Sequence, residues 1–258
     1  MSVGKVARTQ LVNIIRGLAR RGGEPHRVDA KSRAVVACLV REPLQPTAED
    51  SLEVFFILRA SRGQARRWSG QVAFPGGHAE GSETDREAVV RECREEVGFD
   101  LEDESSYKFL GEIDQRRVQR GGGRAKDESS TDLALCCHVF QELKPVPIEQ
   151  EALQVGEVEA CGWSPLSKVL CDEAIEPLVY EWKGVAMEFP SVQLSFPRPD
   201  EPITVRGSER GCDMSSWKLW GLTLGILNDL IIDAGLRQDP IDESALRRRQ
   251  LGVQRSRM

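Results

Sequence analysis

The stretch Gly77 to Phe99 constrains this chain more than any other: G-H-A-E-G-S-E-T-D-R-E-A-V-V-R-E-C-R-E-E-V-G-F, directly behind Ala73-Phe74-Pro75-Gly76. Glu92, Glu95 and Glu96 stand at i, i+3 and i+4. At about 100° per residue they share one helix face about 100° wide. Val89, Val90, Cys93 and Val97 cover an adjacent face, so the same helix packs on a core. Crowded carboxylates repel unless a positive charge sits between them, and hard divalent cations take oxygen ligands. Taken alone, the E-x-x-E-E run also reads as a solvated acidic face, as most charged helix runs are. Gly76 and Gly77 precede the helix where close backbone approach or unusual φ is needed.

The spacing around the glutamates decides between those readings. Gly77, five residues, Glu83, seven residues, then Arg91-Glu92-Cys93-x-Glu95-Glu96-x-Gly98-Phe99 resembles the Nudix box, G-x5-E-x7-R-E-U-x-E-E-x-G-U with U bulky and aliphatic. From ordinary residue frequencies such a match arises by chance about once in a hundred million start positions. Cys93 stands at a U position, where a small apolar side chain still packs.

At 258 residues the chain has enough bulk for a sizeable core. A net charge of −6 gives no reason to expect nucleic-acid binding by the whole surface. No stretch approaches 18 uninterrupted apolar residues, so no membrane span is expected. The seven cysteines are odd in number and contain no Cys-x-x-Cys, which suits a reducing compartment. Cys136-Cys137-His138 lacks metal-ligand spacing, because neighbours on a strand point to opposite faces, and is read as core strand.

In chain order, residues 1–28 are expected to carry a basic amphipathic helix, 29–236 the hydrolase domain and 237–258 a polar, basic, loose tail. The first 23 residues hold five basic groups and no acid, so an organelle presequence is the alternative to a helix laid on the domain. Strands are expected at Arg33–Arg41, Leu52–Leu58, Tyr107–Ile113, Thr131–Gln141 and Val155–Trp163. A loop is expected over Val118–Ser130, a short helix opening at Pro165, a β-rich insertion over 178–205 and a long apolar helix over Trp217–Leu236. Between the second strand and the box, Arg59, Arg62, Arg66 and Arg67 either pair substrate phosphates or face water as a surface loop.

Mixed strands with one central helix and a second long helix argue an α/β protein. The resemblance implies more: a Nudix-type α/β/α sandwich with a mixed central sheet. It implies hydrolysis of a nucleoside diphosphate linked to another moiety, with a small-molecule nucleotide as partner and Mg²⁺ or Mn²⁺ as cofactor. Carried over residue by residue, Glu92, Glu95 and Glu96 are the implied metal ligands, with the Gly77 carbonyl beside them. Arg91 and Glu83 are the implied supporting pair. Glu92, Glu157 and Glu159 are the candidates for general base, in that order.

The chain around the box is similar to the coenzyme A diphosphatase branch, whose pattern is L-L-T-x-R-S-x3-R-x3-G-x3-F-P-G-G. Arg66, Gly70 and Phe74-Pro75-Gly76-Gly77 fit that pattern, whereas Arg59 stands at its threonine and Ser61-Arg62 reverses its Arg-Ser. Trp163-Ser164-Pro165-Leu166 and Leu219-Trp220-Gly221-Leu222-Thr223 also resemble that branch. Coenzyme A or acyl-CoA is therefore the expected substrate. NADH, ADP-ribose, a dinucleoside polyphosphate, an oxidised nucleotide or capped RNA are the alternatives, with a non-catalytic nucleotide-binding module last. Ser256-Arg257-Met258 resembles a peroxisomal address of the Ser-Lys-Leu type, read by an import receptor. A solvated tail is the other reading, and mitochondrion or cytosol the other setting.

Overall fold

The computed structural model describes residues 5–20, 25–44, 50–61, 69–119, 132–182, 185–196, 201–206, 208–242 and 248–249. Of the expectations above, Arg62, Arg66, Arg67, most of the 118–130 loop and Ser256-Arg257-Met258 lie outside the described residues.

In order, the chain forms α1 (Lys5–Arg20), β1 (Ser32–Arg41), β2 (Glu53–Arg59), β3 (Val72–Ala73), β4 (Gly76–His78), α2 (Asp85–Val97), β5 (Tyr107–Glu112), β6 (Arg116–Gln119) and β7 (Asp132–Glu142). It continues through β8 (Val158–Pro165), α3 (Ser167–Leu170), β9 (Ile175–Trp182), β10 (Val185–Gln193), β11 (Ile203–Thr204), α4 (Glu209–Cys212), β12 (Lys218–Trp220), α5 (Gly221–Asp233) and β13 (Arg248–Arg249). The main sheet runs β11-β8-β2-β1-β7-β5, with β3 on β2, β4 on β1 and β6 on β7. β1 and β7 pair in parallel and the other pairs are antiparallel, so the sheet is mixed.

Period-two alternation builds the layers. On β1, Val35, Ala37 and Leu39 join the α2 side with Val89, Val90 and Cys93, while Ala34, Cys38 and Val40 join the side covered by α1 and α5. On β7 the same rule sends Cys136 to the α2 side and Cys137 to the other. The result is helix, sheet, helix. α1 sits inside this arrangement: Ala7, Leu11, Ile14 and Leu18 are buried in the core shared with α5. Among the described residues no helix is long and apolar enough to cross a membrane.

Several boundaries differ from the sequence expectation. Val118 and Gln119 are not loop but the end of β6, paired with Leu133 and Asp132. Pro165 closes β8 instead of opening a helix, because its register is taken by Glu53 of β2. Trp217–Leu236 is not one helix, since Lys218–Trp220 pairs with Gln193–Ser191 of a second, smaller sheet before α5 begins at Gly221. Nor is everything after 236 loose tail. Ile241 is buried and donates its N–H to Asn228 Oδ1 at 3.0 Å, and Arg248–Arg249 pairs with β10. Each difference comes from a long-range strand pair or core contact that local periodicity does not carry.

At the far end of β1 the sheet buries a charge cluster. Arg41 donates Nε–H to Glu53 Oε2 (2.7 Å) and Nη1–H to Glu142 Oε2 (3.1 Å), and its guanidinium lies 4.0 Å from the Trp163 ring centroid. The three strands β1, β2 and β7 are thus tied at one point. Removing only the cation takes away the charge that the two buried carboxylates share, which costs about 3–5 kcal/mol. Arg41→Met should therefore lower the midpoint of thermal unfolding by about 6–20 °C, and adding Glu53→Gln and Glu142→Gln should recover part of the loss. An unchanged midpoint in Arg41→Met would rule out the cluster as a tie.

Candidate functional site

The box folds as strand, loop and helix, each end locally specified. β4 is stitched to β1 through the pairs Val36↔Gly76 and Val35↔Gly77. Gly76 lies at φ 150°, and a Cβ there would overlap Val35 O, so only glycine lets the loop lie this close to the sheet. Thr84 caps α2 in a reciprocal capping box: its Oγ1 accepts the Glu87 N–H, and a Glu87 carboxylate oxygen accepts the Thr84 N–H. Gly98 ends the helix at φ 76° in the left-handed region, and the Phe99 N–H returns to Cys93 O at 3.3 Å.

Between those ends the three glutamates occupy three different environments. Glu96 is fully buried; its Oε2 accepts the Gly76 N–H at 2.8 Å and its Oε1 has no hydrogen-bond partner. Burial pushes its carboxyl up to about 8, opposed by the Gly76 N–H and by Arg59, and reinforced by Glu92 and Glu157. Glu92 has a side chain 12% exposed, and burial raises its carboxyl against the pull of Arg91. It lies so close to Gly77 that a Cβ there would overlap the carboxylate. Glu95 is 51% exposed.

Arg91 organises this group. Its Nη2–H and Nε–H grip Glu83 Oε1 and Oε2 at 2.8 and 3.2 Å, a bidentate pair that holds the Glu83 carboxyl below its ordinary range. Nη2 also donates to His78 O at 3.1 Å, while Nη1 reaches Glu92 Oε1 at 3.0 Å and Glu95 Oε2 at 3.2 Å. Arg33 adds a bond from Nη2–H to Glu83 O at 2.8 Å. Loop and helix are therefore locked together by one guanidinium. Among the described residues no three carboxylate, imidazole or thiol groups converge on a single point. Glu92 and Glu95 turn to Arg91, and Glu96 turns to Gly76. The donor set still fits a hard divalent cation, because it offers carboxylate oxygens on one face and a buried Glu96 oxygen with nothing bound to it.

The other expected site residues divide. Arg59 stands at the end of β2, and its charge favours the ionised form of Glu96. Glu157 precedes β8 in a turn, with its N–H on Gln154 O at 2.8 Å, and its charge bears on both Glu92 and Glu96. Glu159 is buried and engaged elsewhere: it accepts the Ser208 Oγ–H at 2.8 Å and the Ser61 Oγ–H at 3.4 Å. Sequence reasoning missed Arg210, which reaches back across 140 residues to Gly70 O at 2.9 Å. No local spacing signals such a contact.

A model of the NUDIX domain matches residues 31–182, more than half of the chain and the whole of the box with Arg59, Glu157 and Glu159. The chain belongs to the Nudix family. Relatives of this Nudix protein include an uncharacterised protein of Schizosaccharomyces pombe, 28% identical over 124 residues (48% of this chain, 35% of that protein). A peroxisomal coenzyme A diphosphatase of Caenorhabditis elegans is 31% identical over 131 residues, 50% of this chain and 48% of that protein. The matches thus span about a third and about half of those relatives' lengths. Among solved structures, a C. elegans Ap4A hydrolase aligns over 54% of this chain and 83% of its own, at 13% identity and a TM-score of 0.37. A MutT Nudix hydrolase of Burkholderia pseudomallei aligns over 53% and 84%, at 20% identity and a TM-score of 0.33. The family assignment stands on the domain match and the intact box.

Proposed function

We propose that the protein is a metal-dependent pyrophosphohydrolase that cleaves the P–O–P link of a nucleoside diphosphate joined to a second moiety. The observation that carries this reading is the complete carboxylate set Glu92, Glu95 and Glu96 against Gly77, inside a matched NUDIX domain and with one buried Glu96 oxygen left without a partner. These three glutamates and the Gly77 carbonyl would hold Mg²⁺ or Mn²⁺. Bound there, such an ion neutralises phosphate charge and lowers the pKa of water. Arg91 and Glu83 keep the carboxylates in register with the loop. Arg59 adds a cation beside Glu96 for the diphosphate. Water attacks one phosphorus, the bridging P–O bond breaks, and a carboxylate takes the proton. Glu92 and Glu157 are the candidate bases, while Glu159 is a weaker one because Ser208 and Ser61 already occupy its oxygens.

Glu96→Gln keeps the volume and removes the carboxylate that the proposed cation would bind. Losing partners of metal ligands costs about 10- to 100-fold, so losing a ligand should cost at least roughly 100-fold in Mg²⁺-dependent hydrolysis. Turnover near the wild-type rate would remove the metal assignment.

For the second moiety we propose coenzyme A or acyl-CoA. Support comes from the Arg66, Gly70 and Phe74-Pro75-Gly76-Gly77 pattern and from the name of the C. elegans relative. Coenzyme A carries a 3′-phosphate that takes no part in the chemistry, and the arginines before the box suit it. A guanidinium–phosphate bond is worth about 1.5–3 kcal/mol, or roughly 10- to 150-fold. Alanine at Arg62 or Arg66 should weaken coenzyme A hydrolysis by that factor and spare dephospho-coenzyme A. Alanine at Arg59, whose charge bears on Glu96, should weaken both alike. A wild-type preference for NADH or ADP-ribose would return the substrate to the wider family range, as the reversed Ser61-Arg62 favours.

The proposed setting is the peroxisome, supported by the pattern Ser256-Arg257-Met258 and by the same relative's name. A fluorescent reporter ending in residues 247–258 should collect in peroxisomes and disperse when Met258 is deleted. Mitochondrial uptake of the whole protein through residues 1–23 would reverse that assignment.

A further inference from the structure

The loop between β2 and β3 leaves and rejoins the sheet at a narrow neck. Arg59 donates its N–H to Gln71 O at 3.0 Å and accepts the Gly70 N–H at 3.0 Å, while the Ala60 N–H is taken by Glu157 O at 2.8 Å. The neck therefore carries both Arg59 and Glu157, the two groups outside α2 whose charges act on Glu96. Gly70 stands at φ 70°, where a side chain is strained, and the volume a side chain would take is filled. A Cβ on Gly70 would overlap Cζ and both terminal nitrogens of Arg210. The Arg210 guanidinium thus lies directly over the glycine, donates Nη2–H to Gly70 O at 2.9 Å, and holds Nη1 3.9 Å from Glu159 Oε2.

Arg210 is itself anchored. Glu159, buried on β8, accepts the Ser208 Oγ–H at 2.8 Å, and Ser208 Oγ in turn accepts the Gly211 N–H at 3.1 Å to cap α4. From the other side the Trp217 Nε1–H donates to Gly211 O at 3.0 Å. A segment beyond the matched domain, which ends at 182, is thereby braced on the sheet and reaches back to the neck.

We infer that Arg210 is a positioning residue for substrate binding. It clamps Gly70, and through the Gly70–Arg59 bond it sets the cation at Arg59 against the box carboxylates. The inference rests on the reading of the box as the diphosphate site. It gives Glu159 the task of orienting Arg210 and explains why the residue at 70 has no side chain.

Kinetics with coenzyme A and with ADP-ribose in Mg²⁺, alongside amide exchange of the full chain, test this. Arg210→Ala should raise KM roughly tenfold, the size expected for one charge-assisted hydrogen bond, with kcat within about twofold. The Gly70 amide should exchange faster by a similar factor. Arg210→Lys keeps one donor but not the flat fork, so its KM should fall between the two. Gly70→Ala, whose Cβ displaces the guanidinium, should raise KM as Arg210→Ala does, and the double variant should be no worse than either alone. Unchanged KM and unchanged Gly70 exchange in Arg210→Ala, with an active wild type, overturn the inference alone. A fall in kcat with KM unchanged overturns it too, marking Arg210 as a strut. A wild type that hydrolyses neither compound overturns the diphosphatase reading, and the inference with it.

Discussion

One bond sets the geometry of this protein: the Gly76 N–H on the carboxylate of Glu96, 2.8 Å long and sealed from water. A buried carboxylate is costly unless its oxygens are bonded, and here only one of the two is. The helix must therefore approach the loop until the glutamate meets the amide, and the loop must lie flat on β1 to offer it. Both requirements fall on glycines, because a Cβ at Gly76 would strike Val35 O and one at Gly77 would strike Glu92. The remaining Glu96 oxygen keeps its unmet demand inside the site. That demand, set among further acids, is what the proposed cation would meet.

Arg91 is the counterweight. Five carboxylate or carbonyl oxygens surround its guanidinium, from Glu83 (both oxygens), Glu92, Glu95 and His78. A lysine has no planar fork with which to grip both Glu83 oxygens while reaching forward to Glu92. The arginine thus ties Glu83, Glu92 and Glu95 to the loop, and the loop, the helix and these acids behave as one unit. At the opposite end of β1 the sheet repeats the device with the signs arranged for stability: Arg41 between Glu53 and Glu142, under the Trp163 ring.

The second half of the chain does something different. β9, β10, β12 and β13 form a separate small sheet, and the segment from β11 to α4 runs back along β8. Through Ser208, Glu159 and Arg210 it reaches the neck of the loop that carries Arg59. Parts far apart in sequence thus meet at the neck of that loop.

How much of this was legible beforehand follows from the range of each signal. The spacing of Glu92, Glu95 and Glu96, the glycines before the helix and the apolar run of β1 are short-range, and helix and strand geometry turn them directly into structure. The sequence by itself therefore determined the carboxylate helix and the glycine loop before it, whereas the mixed sheet and the partnership of Arg91 with Glu83 came from the resemblance to the Nudix box. It did not determine that Glu96 is buried while Glu95 is exposed, because equal spacing on a helix says nothing of which edge the sheet covers. Nor did it reveal the strand at Lys218–Trp220, the burial of Ile241, the engagement of Glu159 or the reach of Arg210 to Gly70. Those depend on strand register and on side chains meeting across 140 residues of chain, as Arg210 and Gly70 do. Only the packed structure decides such contacts, because local periodicity holds no record of which distant surface will arrive.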